Sequence, residues 1–359
     1  MIIHNCHTHV FTIKNVPKRF LPLGMASLLR FRFLRRPLGF LLRNLWPFSD
    51  RDLLDRYVRF INITYRKSQQ GVFELLMGFY PAQTKFVVLP MDMAYMGAGK
   101  IEQSLEAQHQ ALAEIKQDYP DRILPFVAVD PRRPEIQTKV VDLIENHGFA
   151  GVKLYPPLGY YPFDDRLRPI YAYAEANRVP VLTHCSRGGV YYRGKITKDM
   201  LKHPRTGQPL RREKHKAFTD VYTDPDNYVY VLDEFPNLKL CLAHFGGGKE
   251  WEAYLAHPWS SSSSQPRSWL SRIADLIRSG KYPNLYTDIS STLHEDRYLP
   301  LLKVLLQDPA LRTKVLFGTD FYLVEREIPE REFSVQLRAA IGEDDFRQIA
   351  ETNPVSFLP

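Results

Sequence analysis

Histidine and aspartate side chains stand at the ends of several apolar segments of this 359-residue sequence. His7 and His9 end the first segment, and residues at i and i+2 of a strand face the same side. His184, His244 and Asp320 end three later segments. Imidazole nitrogens and a carboxylate oxygen suit Zn²⁺ and similar divalent ions such as Mn²⁺, Fe²⁺ or Co²⁺. A single H-x-H pair is a weak signal, but the ordered series predicts a metal site.

The segments that carry these residues alternate with helix-like patterns along the chain. Apolar runs predict strands near residues 2–7, 85–90, 123–129, 149–155, 179–184, 238–244, 285–289 and 315–320. Helices are predicted over residues 101–116, 137–146, 167–177, 228–235, 269–279, 298–307, 330–341 and 344–352. Alternation of strands with helices indicates a parallel sheet with helical crossovers, and near-continuous apolar runs indicate strands that are buried on both faces.

Eight such units predict a closed (β/α)₈ barrel, the TIM-barrel fold. An open doubly wound sheet is the alternative, and the lack of a glycine-rich turn after the first strand weakens it. In a barrel the strand ends converge on one pocket, so residues far apart in sequence would meet there. We expect a single domain over residues 1–359, with long insertions at residues 11–81 and 187–225 that follow strands on the catalytic face.

Several short motifs at these strand ends form a pattern that covers the whole chain. They are HTH at 7–9, GVKL at 151–154, LTH at 182–184, AHFG at 243–246, FGTD at 317–320 and Asn353-Pro354. Together they resemble the amidohydrolase superfamily, and more closely its branch of amidohydrolase-related, metal-dependent hydrolases. The two insertions fall outside the resemblance. Asn5 departs from it, because the family often has an aspartate there, but this change removes no ligand.

The resemblance implies which residues would bind metal. His7, His9 and Asp320 would hold the more buried ion. His184 would either join that ion or hold a second one together with His244. Zinc is the metal that we expect first, at one or two ions per chain.

Lys153 is the residue on which the number of metal ions depends. In some two-metal members of the superfamily, a lysine on the fourth strand reacts with CO₂ to give a carbamate that bridges both metals, and Lys153 resembles that lysine. A carbamate is anionic and would satisfy two cations, which an ammonium could not. We therefore predict N6-carboxylysine at position 153. The alternative is a plain cation that forms a salt bridge or binds a substrate carboxylate.

The reaction implied by this resemblance is hydrolysis by a metal-activated hydroxide, because a bound metal lowers the pKa of water to about 7. Asp320 would take up the proton, and with a single metal His244 would act as acid/base or hold the oxyanion. We predict cleavage of an amide, cyclic amide, ester or lactone. One alternative is a single-metal decarboxylase of aromatic or unsaturated carboxylic acids, and another is a non-enzymatic binding or membrane-surface protein.

Two residues are candidates for binding a small-molecule substrate. Arg187 lies in the basic loop that follows His184, and basic side chains there would suit a carboxylate or phosphate on the substrate. Tyr155, at the end of the fourth strand, would line the pocket. The alternatives are a solvated loop for Arg187 and simple packing for Tyr155.

Composition restricts the compartment and the partners. Three cysteines cannot form a disulfide framework, so we expect a reducing, cytoplasmic compartment. The N-terminus lacks a signal-peptide pattern, and no apolar run has bilayer-spanning length. The net charge of +8 prompts a search for nucleic-acid-binding modules, none of which is recognisable, so nucleic acid is not an expected partner.

One segment, residues 17–48, concentrates seven basic residues with no acidic residue among leucines and phenylalanines. We expect it to form a lid over the barrel mouth or a contact in a homo-oligomer. Basic amphipathic helices of this kind also lie on anionic membrane surfaces, so peripheral membrane association is the alternative.

Overall fold

The computed structural model describes residues 2–20, 63, 66–256, 267–293, 296–322 and 328–359. Within these residues, eight strands pair in parallel, each with its neighbour in sequence. The strands are β1 His4–Thr8, β2 Lys85–Val88, β3 Ile123–Val129, β4 Gly151–Leu154, β5 Val181–Ser186, β6 Leu240–Gly246, β7 Leu285–Asp288 and β8 Val315–Leu316. Helices connect them, as the alternating pattern predicts.

The last strand returns to the first and nearly closes the sheet. The amide of Cys6 donates to the carbonyl of Phe317 at 2.8 Å, and that of Asp320 donates to the carbonyl of His7 at 2.8 Å. Thr8 and Phe321 form a parallel bridge. The predicted (β/α)₈ barrel is confirmed, and the open-sheet alternative is wrong. Strand β8 is shorter than predicted, because the chain turns away after Leu316 and reaches β1 through these separate contacts.

Helices surround the barrel in the described part of the chain. They are α1 Gln69–Met77, α2 Leu105–Asp118, α3 Ile136–His147, α4 Arg168–Ala176, α5 His215–Phe218, α6 Asp226–Glu234, α7 Gly248–Ala256, α8 Trp269–Arg278, α9 Leu299–Leu305, α10 Pro309–Arg312, α11 Glu330–Ile341, α12 Glu343–Arg347 and α13 Asn353–Phe357. The final helix predicted over 344–352 is instead divided among α12, a π-helix at Gln348–Thr352 and α13.

Serine caps explain where two of these helices begin. The Ser104 hydroxyl accepts the amide hydrogen of Ala107 at 3.3 Å, so α2 starts at residue 105 rather than at the predicted residue 101. Ser268 caps α8 in the same way. Such a cap satisfies an amide that has no partner within the helix, which typically stabilises the helix by about 1 kcal/mol.

The inward faces of the strands form their own apolar cluster, which supports the site from below. Its buried members are Cys6, Val87, Leu89, Phe126, Ala150, Leu182, Cys241, Ala243, Tyr286, Leu316, Phe357 and Leu358. Phe357 of α13 contacts Tyr286, near the start of β7, with ring centres 5.2 Å apart. Asn353 donates to the carbonyls of Arg312 and Val315 and so attaches α13 to the start of β8.

The two predicted insertions are described only in part. Most of the basic segment at 17–48 lies outside the described residues, so its role as lid, oligomer contact or membrane anchor stays a prediction. Helix α1 lies within the stretch 11–81, between β1 and β2 as the barrel repeat requires. Residues 187–225 contain α5 and two short 3₁₀ segments, Asp199–Leu201 and Thr219–Thr223. No helix in the described part of the chain is long and apolar enough to cross a membrane.

Close packing within the barrel makes Gly151 of β4 a sensitive position. A Cβ atom there would lie 2.5 Å from the ring of Phe126 and 2.7 Å from the carbonyl oxygen of Pro180. We expect Gly151→Ala to lower the free energy of unfolding by about 1–3 kcal/mol through overpacking. Gly71→Ala in α1 is the control, since its Cβ would meet nothing closer than 3.6 Å. Urea unfolding curves that moved equally for both variants would contradict the prediction.

Candidate metal centre

Two histidines at the end of β1 meet the aspartate that follows β8. Oδ1 of Asp320 lies 3.0 Å from Nε2 of His9 and 3.6 Å from Nε2 of His7. All three side chains are buried, with at most 3% of their residue surface exposed. The structure therefore brings two neighbouring histidines together with an aspartate that is more than 300 positions away in the sequence.

Small and polar residues around β8 allow this approach. A Cβ atom on Gly318 would lie 2.7 Å from Cβ of His7, so only glycine lets the two segments come this close. Asn5 donates to the Thr319 hydroxyl at 2.9 Å and accepts the Thr319 amide hydrogen at 3.2 Å. Asn5, where the sequence departs from the family pattern, thus holds β1 and the chain after β8 together.

Hydrogen bonds to the far nitrogen of each imidazole fix its tautomer. Nδ1 of His9 lies 2.7 Å from the carbonyl oxygen of Leu89, which can only accept, so Nδ1 carries the hydrogen. Nδ1 of His7 lies 2.9 Å from Oδ2 of Asp288. Burial lowers the pKa of His7 to about 3, aided by Lys153 and opposed by Asp288 and Asp320, so its ring is neutral. In the neutral form of each ring the lone pair is therefore on Nε2.

Three electron-pair donors consequently face one another without a hydrogen between them. Nε2 of His7 and Oδ1 of Asp320 are buried atoms that lack a hydrogen-bond partner in the described structure. Nε2 of His9, which bears a lone pair when the ring is neutral, lies 3.0 Å from the same Oδ1. Their separations are similar to the roughly 3–3.5 Å between ligand atoms that share a divalent ion. His7, His9 and Asp320 could therefore hold a metal ion.

His184 and His244 form a second pair of facing nitrogens. Nδ1 of His184 lies 3.0 Å from Nε2 of His244. Nε2 of His184 lies 3.1 Å from the carbonyl oxygen of Ser186, and Nδ1 of His244 lies 2.9 Å from that of Ser290. Because both carbonyls only accept, the facing nitrogens both carry lone pairs when the rings are neutral. A cation or a proton must lie between them.

Lys153 of β4 is the buried cation of the site. Its residue surface is 2% exposed, and Nζ has no hydrogen-bond partner in the described structure. Burial lowers the pKa of Lys153 to about 8, although Asp288 and Asp320 oppose the shift. A cavity of about 10 Å³, enough for one water molecule, adjoins Lys153 and Tyr155. A buried amine without a hydrogen-bond partner destabilises the folded protein unless another group pairs with it.

Asp288 at the end of β7 is a site residue that the sequence reasoning missed. Its side chain is fully buried, contacts His7 and accepts the amide hydrogens of His244 and Ser290 at 2.9 and 3.0 Å. Burial raises the pKa of Asp288, but His7, His244 and the Ser290 hydroxyl lower it more, so the net shift is downward. Its position at a strand end, the rule that identified Asp320, was the available signal.

Tyr155 follows β4 and lies beside His184, and its predicted role as a substrate contact stays a prediction. Its ring stacks on His184 with ring centres 4.4 Å apart, and its hydroxyl accepts the Val190 amide hydrogen at 3.0 Å. Gly189, with a φ of +74°, allows the loop to lie on this pair. A Cβ atom there would be 2.6 Å from the Tyr155 hydroxyl and 3.2 Å from the His184 ring.

Arg187 occupies a different place from the histidines. Its guanidinium lies 2.5 Å from Glu250 and stacks over Trp269 at 4.4 Å. It lines a cavity of about 530 Å³ whose lining, among the described residues, includes none of the four site histidines. The predicted role of Arg187 in binding a substrate anion would require it to leave these partners, and it stays a prediction.

Backbone strain is concentrated beside the site. Six non-glycine residues in the described chain have positive φ, and four of them follow or end β6, β7 and β8: His244, Phe245, Ser291 and Asp320. Each such residue costs about 1–3 kcal/mol and persists only where its surroundings hold it. The strain lies where it can aim His244 and Asp320 into the pocket.

Comparisons with known proteins agree with this architecture. The model of a family described as amidohydrolase matches residues 77–359. A probable 2-pyrone-4,6-dicarboxylic acid hydrolase from Acinetobacter baumannii, solved with citric acid bound, is similar at 12% identity over 99% of each chain, with a TM-score of 0.56. The 2,6-dihydroxybenzoate decarboxylase from Rhizobium is similar at 18% identity over 99% of this chain and 98% of that one, with a TM-score of 0.54. The 5-carboxyvanillate decarboxylase from Novosphingobium aromaticivorans, solved with manganese, is similar at 14% identity over 99% of this chain and 96% of that one, with a TM-score of 0.54. At these identities the likeness shows the fold alone.

Asp320→Asn should change the stability of the metal-free protein, because lone pairs of His9 and Asp320 face each other in wild type. Asparagine tolerates the φ of +60° at this position, and its amide can donate to Nε2 of His9. We expect the metal-free variant to be more stable than metal-free wild type. Wild type should gain about 2.7 kcal/mol from Zn²⁺ or Mn²⁺ at 100 times the dissociation constant, whereas the variant should gain little.

Thermal unfolding with and without added metal, after chelator treatment, measures both effects. Asp92→Asn is the matched control, because Asp92 is a buried aspartate in the loop after β2 that pairs with Arg133 rather than with a histidine. A metal-induced shift in Asp320→Asn equal to that of wild type would refute the assignment.

Proposed function

Because the chain belongs to the amidohydrolase family, we propose that it is a metal-dependent hydrolase that cleaves an amide, cyclic amide, ester or lactone. The observation that carries this proposal is the convergence of lone pairs from His7, His9 and Asp320 in a buried pocket. Ligands that face one another without a hydrogen bond are arranged for a cation. A purely structural cluster would be expected to satisfy these atoms with donors.

The proposed ligand set has two parts. His7, His9 and Asp320 would hold one ion, and His184 with His244 would hold a second. Divalent ions bound there would polarise a carbonyl group and activate water near neutral pH. Zinc suits these nitrogen and oxygen ligands, and so does manganese, which is present in the similar 5-carboxyvanillate decarboxylase.

Asp320 is the residue that we propose to move the proton. Although burial raises the pKa of Asp320, the net shift is downward, so its carboxylate is ionised. It would accept the proton of the attacking water and return it to the leaving nitrogen or oxygen. The neutral ring of His7 is not a competing acid, since its pKa is lowered to about 3. Tyr155, stacked on His184, would hold that ring and border the substrate.

Carboxylation of Lys153 would complete the site. The uncharged amine attacks CO₂, forms a C–N bond and releases one proton, which leaves a carbamate anion. This group would add anionic oxygens to the ligand set and remove the cost of an unpaired buried ammonium. The burial of Nζ and its lack of a hydrogen-bond partner support this proposal.

A single-metal decarboxylase is the second candidate. It is favoured by the buried Lys153, which as an ammonium would pair with a substrate carboxylate, and by the names of the similar solved decarboxylases. In that arrangement a proton, rather than a metal, would lie between His184 and His244. The number of bound metal ions and the released product separate the two candidates.

Elemental analysis of protein purified without chelators is the test of the ligand set. We expect two divalent ions per chain in wild type and one in His244→Asn, because the second pair of nitrogens is then broken. His203→Asn is the control, since His203 bonds Asn227 and lies outside the proposed set. One ion in wild type, with CO₂ release from aromatic acids and no hydrolysis of lactones or cyclic amides, would favour the decarboxylase. Absence of metal even after its addition would overturn both candidates.

The carbamate has its own test, ¹³C NMR of protein equilibrated with ¹³CO₂ and metal. We expect one protein-bound carbamate signal in wild type and none in Lys153→Arg. With a pKa of about 8, roughly three quarters of the amine is uncharged at pH 8.5 and about 3% at pH 6.5. At equal dissolved CO₂, carboxylation should therefore be faster at the higher pH. An unchanged ¹³C spectrum in Lys153→Arg would contradict carboxylation at this residue.

A further inference from the structure

We infer that Asp288 is a positioning residue that locks His7 in the tautomer able to bind metal. This inference rests on the proposed metal-dependent function and names a determinant of metal affinity that lies outside the ligand set. Asp288 ends β7, whereas His7 lies in β1, and Oδ2 of Asp288 lies 2.9 Å from Nδ1 of His7. Both are fully buried, so water does not compete for the contact.

Asp288 can only accept a hydrogen bond from His7. Its Oδ1 accepts two backbone amide hydrogens and contacts the Ser290 hydroxyl, which stabilises the ionised carboxylate, and an ionised carboxylate has no hydrogen to donate. Nδ1 of His7 must therefore carry the hydrogen. The lone pair is then on Nε2, the nitrogen that faces Asp320. A carboxylate behind a histidine is the arrangement that commonly orients metal-binding imidazoles.

The carboxylate of Asp288 cannot rotate freely. Oδ1 of Asp288 accepts the backbone amide hydrogens of His244 at 2.9 Å and of Ser290 at 3.0 Å, and also contacts the Ser290 hydroxyl. These two amides come from the ends of β6 and β7, so their positions are set by the barrel. Oδ1 is therefore held by the backbone amides, and Oδ2 faces Nδ1 of His7.

Asparagine in place of Asp288 would reverse the tautomer of His7. Two backbone amides point at Oδ1, so the side-chain carbonyl of Asp288→Asn must stay there. The amide nitrogen would then face Nδ1 of His7 and donate to it. His7 would accept at Nδ1, shift its hydrogen to Nε2 and lose the lone pair that faces the metal position. The substitution changes no volume, so the geometry of the barrel is kept.

Ser290 is the competing explanation, because its hydroxyl lies 3.0 Å from Nδ1 of His7 and 2.9 Å from Nδ1 of His244. Its single hydrogen is directed to Asp288, so the hydroxyl acts as an acceptor toward both rings. Removing it leaves Oδ2 of Asp288 in place behind His7. Ser290→Ala should consequently keep the tautomer that Asp288→Asn reverses.

The test measures Zn²⁺ affinity of the full-length protein by competition with a chromophoric chelator. We expect Asp288→Asn to lose about 10–100-fold in affinity, the range typical for removal of such a partner. Ser290→Ala should stay within about threefold of wild type. Asp92→Asn, the same substitution at a buried aspartate that pairs with Arg133, should also stay close to wild type. Near-wild-type affinity in Asp288→Asn, or an equal loss in Ser290→Ala, would overturn the inference.

A second readout does not depend on metal. ¹⁵N NMR of histidine-labelled protein, with the His7 signals assigned from a His7→Gln variant, reports which ring nitrogen carries the hydrogen. We expect hydrogen on Nδ1 in metal-free wild type and on Nε2 in Asp288→Asn. If wild type binds no metal, the proposed function fails, yet this spectrum still decides the role of Asp288. An Nδ1–H signal that persists in the variant would refute the tautomer lock.

Discussion

The contact between the first and last strands is the constraint on which the rest of the site depends. His7 lies in β1 and His9 directly follows it, whereas Asp320 follows β8, and they meet only because the barrel closes. Backbone hydrogen bonds, the Asn5–Thr319 pair and the absence of a side chain at Gly318 hold the two segments together. If β1 and the chain after β8 did not meet, His7 and His9 would be separated from Asp320 even though all three side chains were unchanged.

Around this closure, the protein maintains an arrangement that is unfavourable without a cation. Buried lone pairs face each other in two places, and residues beside them adopt strained backbone conformations. Fixed dipoles that need no rearrangement are what a reactive site requires, because reorganisation then adds little to the barrier. Asp288 extends this principle below the pocket, since it sets which nitrogen of His7 is available and binds the backbone at His244.

The loops after β2 and β5 contact each other beside the site. The loop after β5 lies on Tyr155 and His184, and the amide of Arg193 donates to the carbonyl of Met96 at 2.7 Å in the loop after β2. These contacts leave little open volume directly beside Lys153. A fold of this kind supports many chemistries, and under the proposed function these loops and the amine of Lys153 would carry the choice between hydrolysis and decarboxylation.

The sequence by itself determined the barrel and most of the proposed site, because strand periodicity and strand-end position are local properties. It placed His7, His184 and Asp320 at ends that a parallel barrel must bring together. Tertiary structure alone decided the tautomers, the shortened β8 and the part played by Asp288. Arg187 also shows this limit, since its pairing with Glu250 depends on the fold. A hydrogen bond between side chains from β1 and β7 depends on distances in space, and no spacing along the chain encodes them.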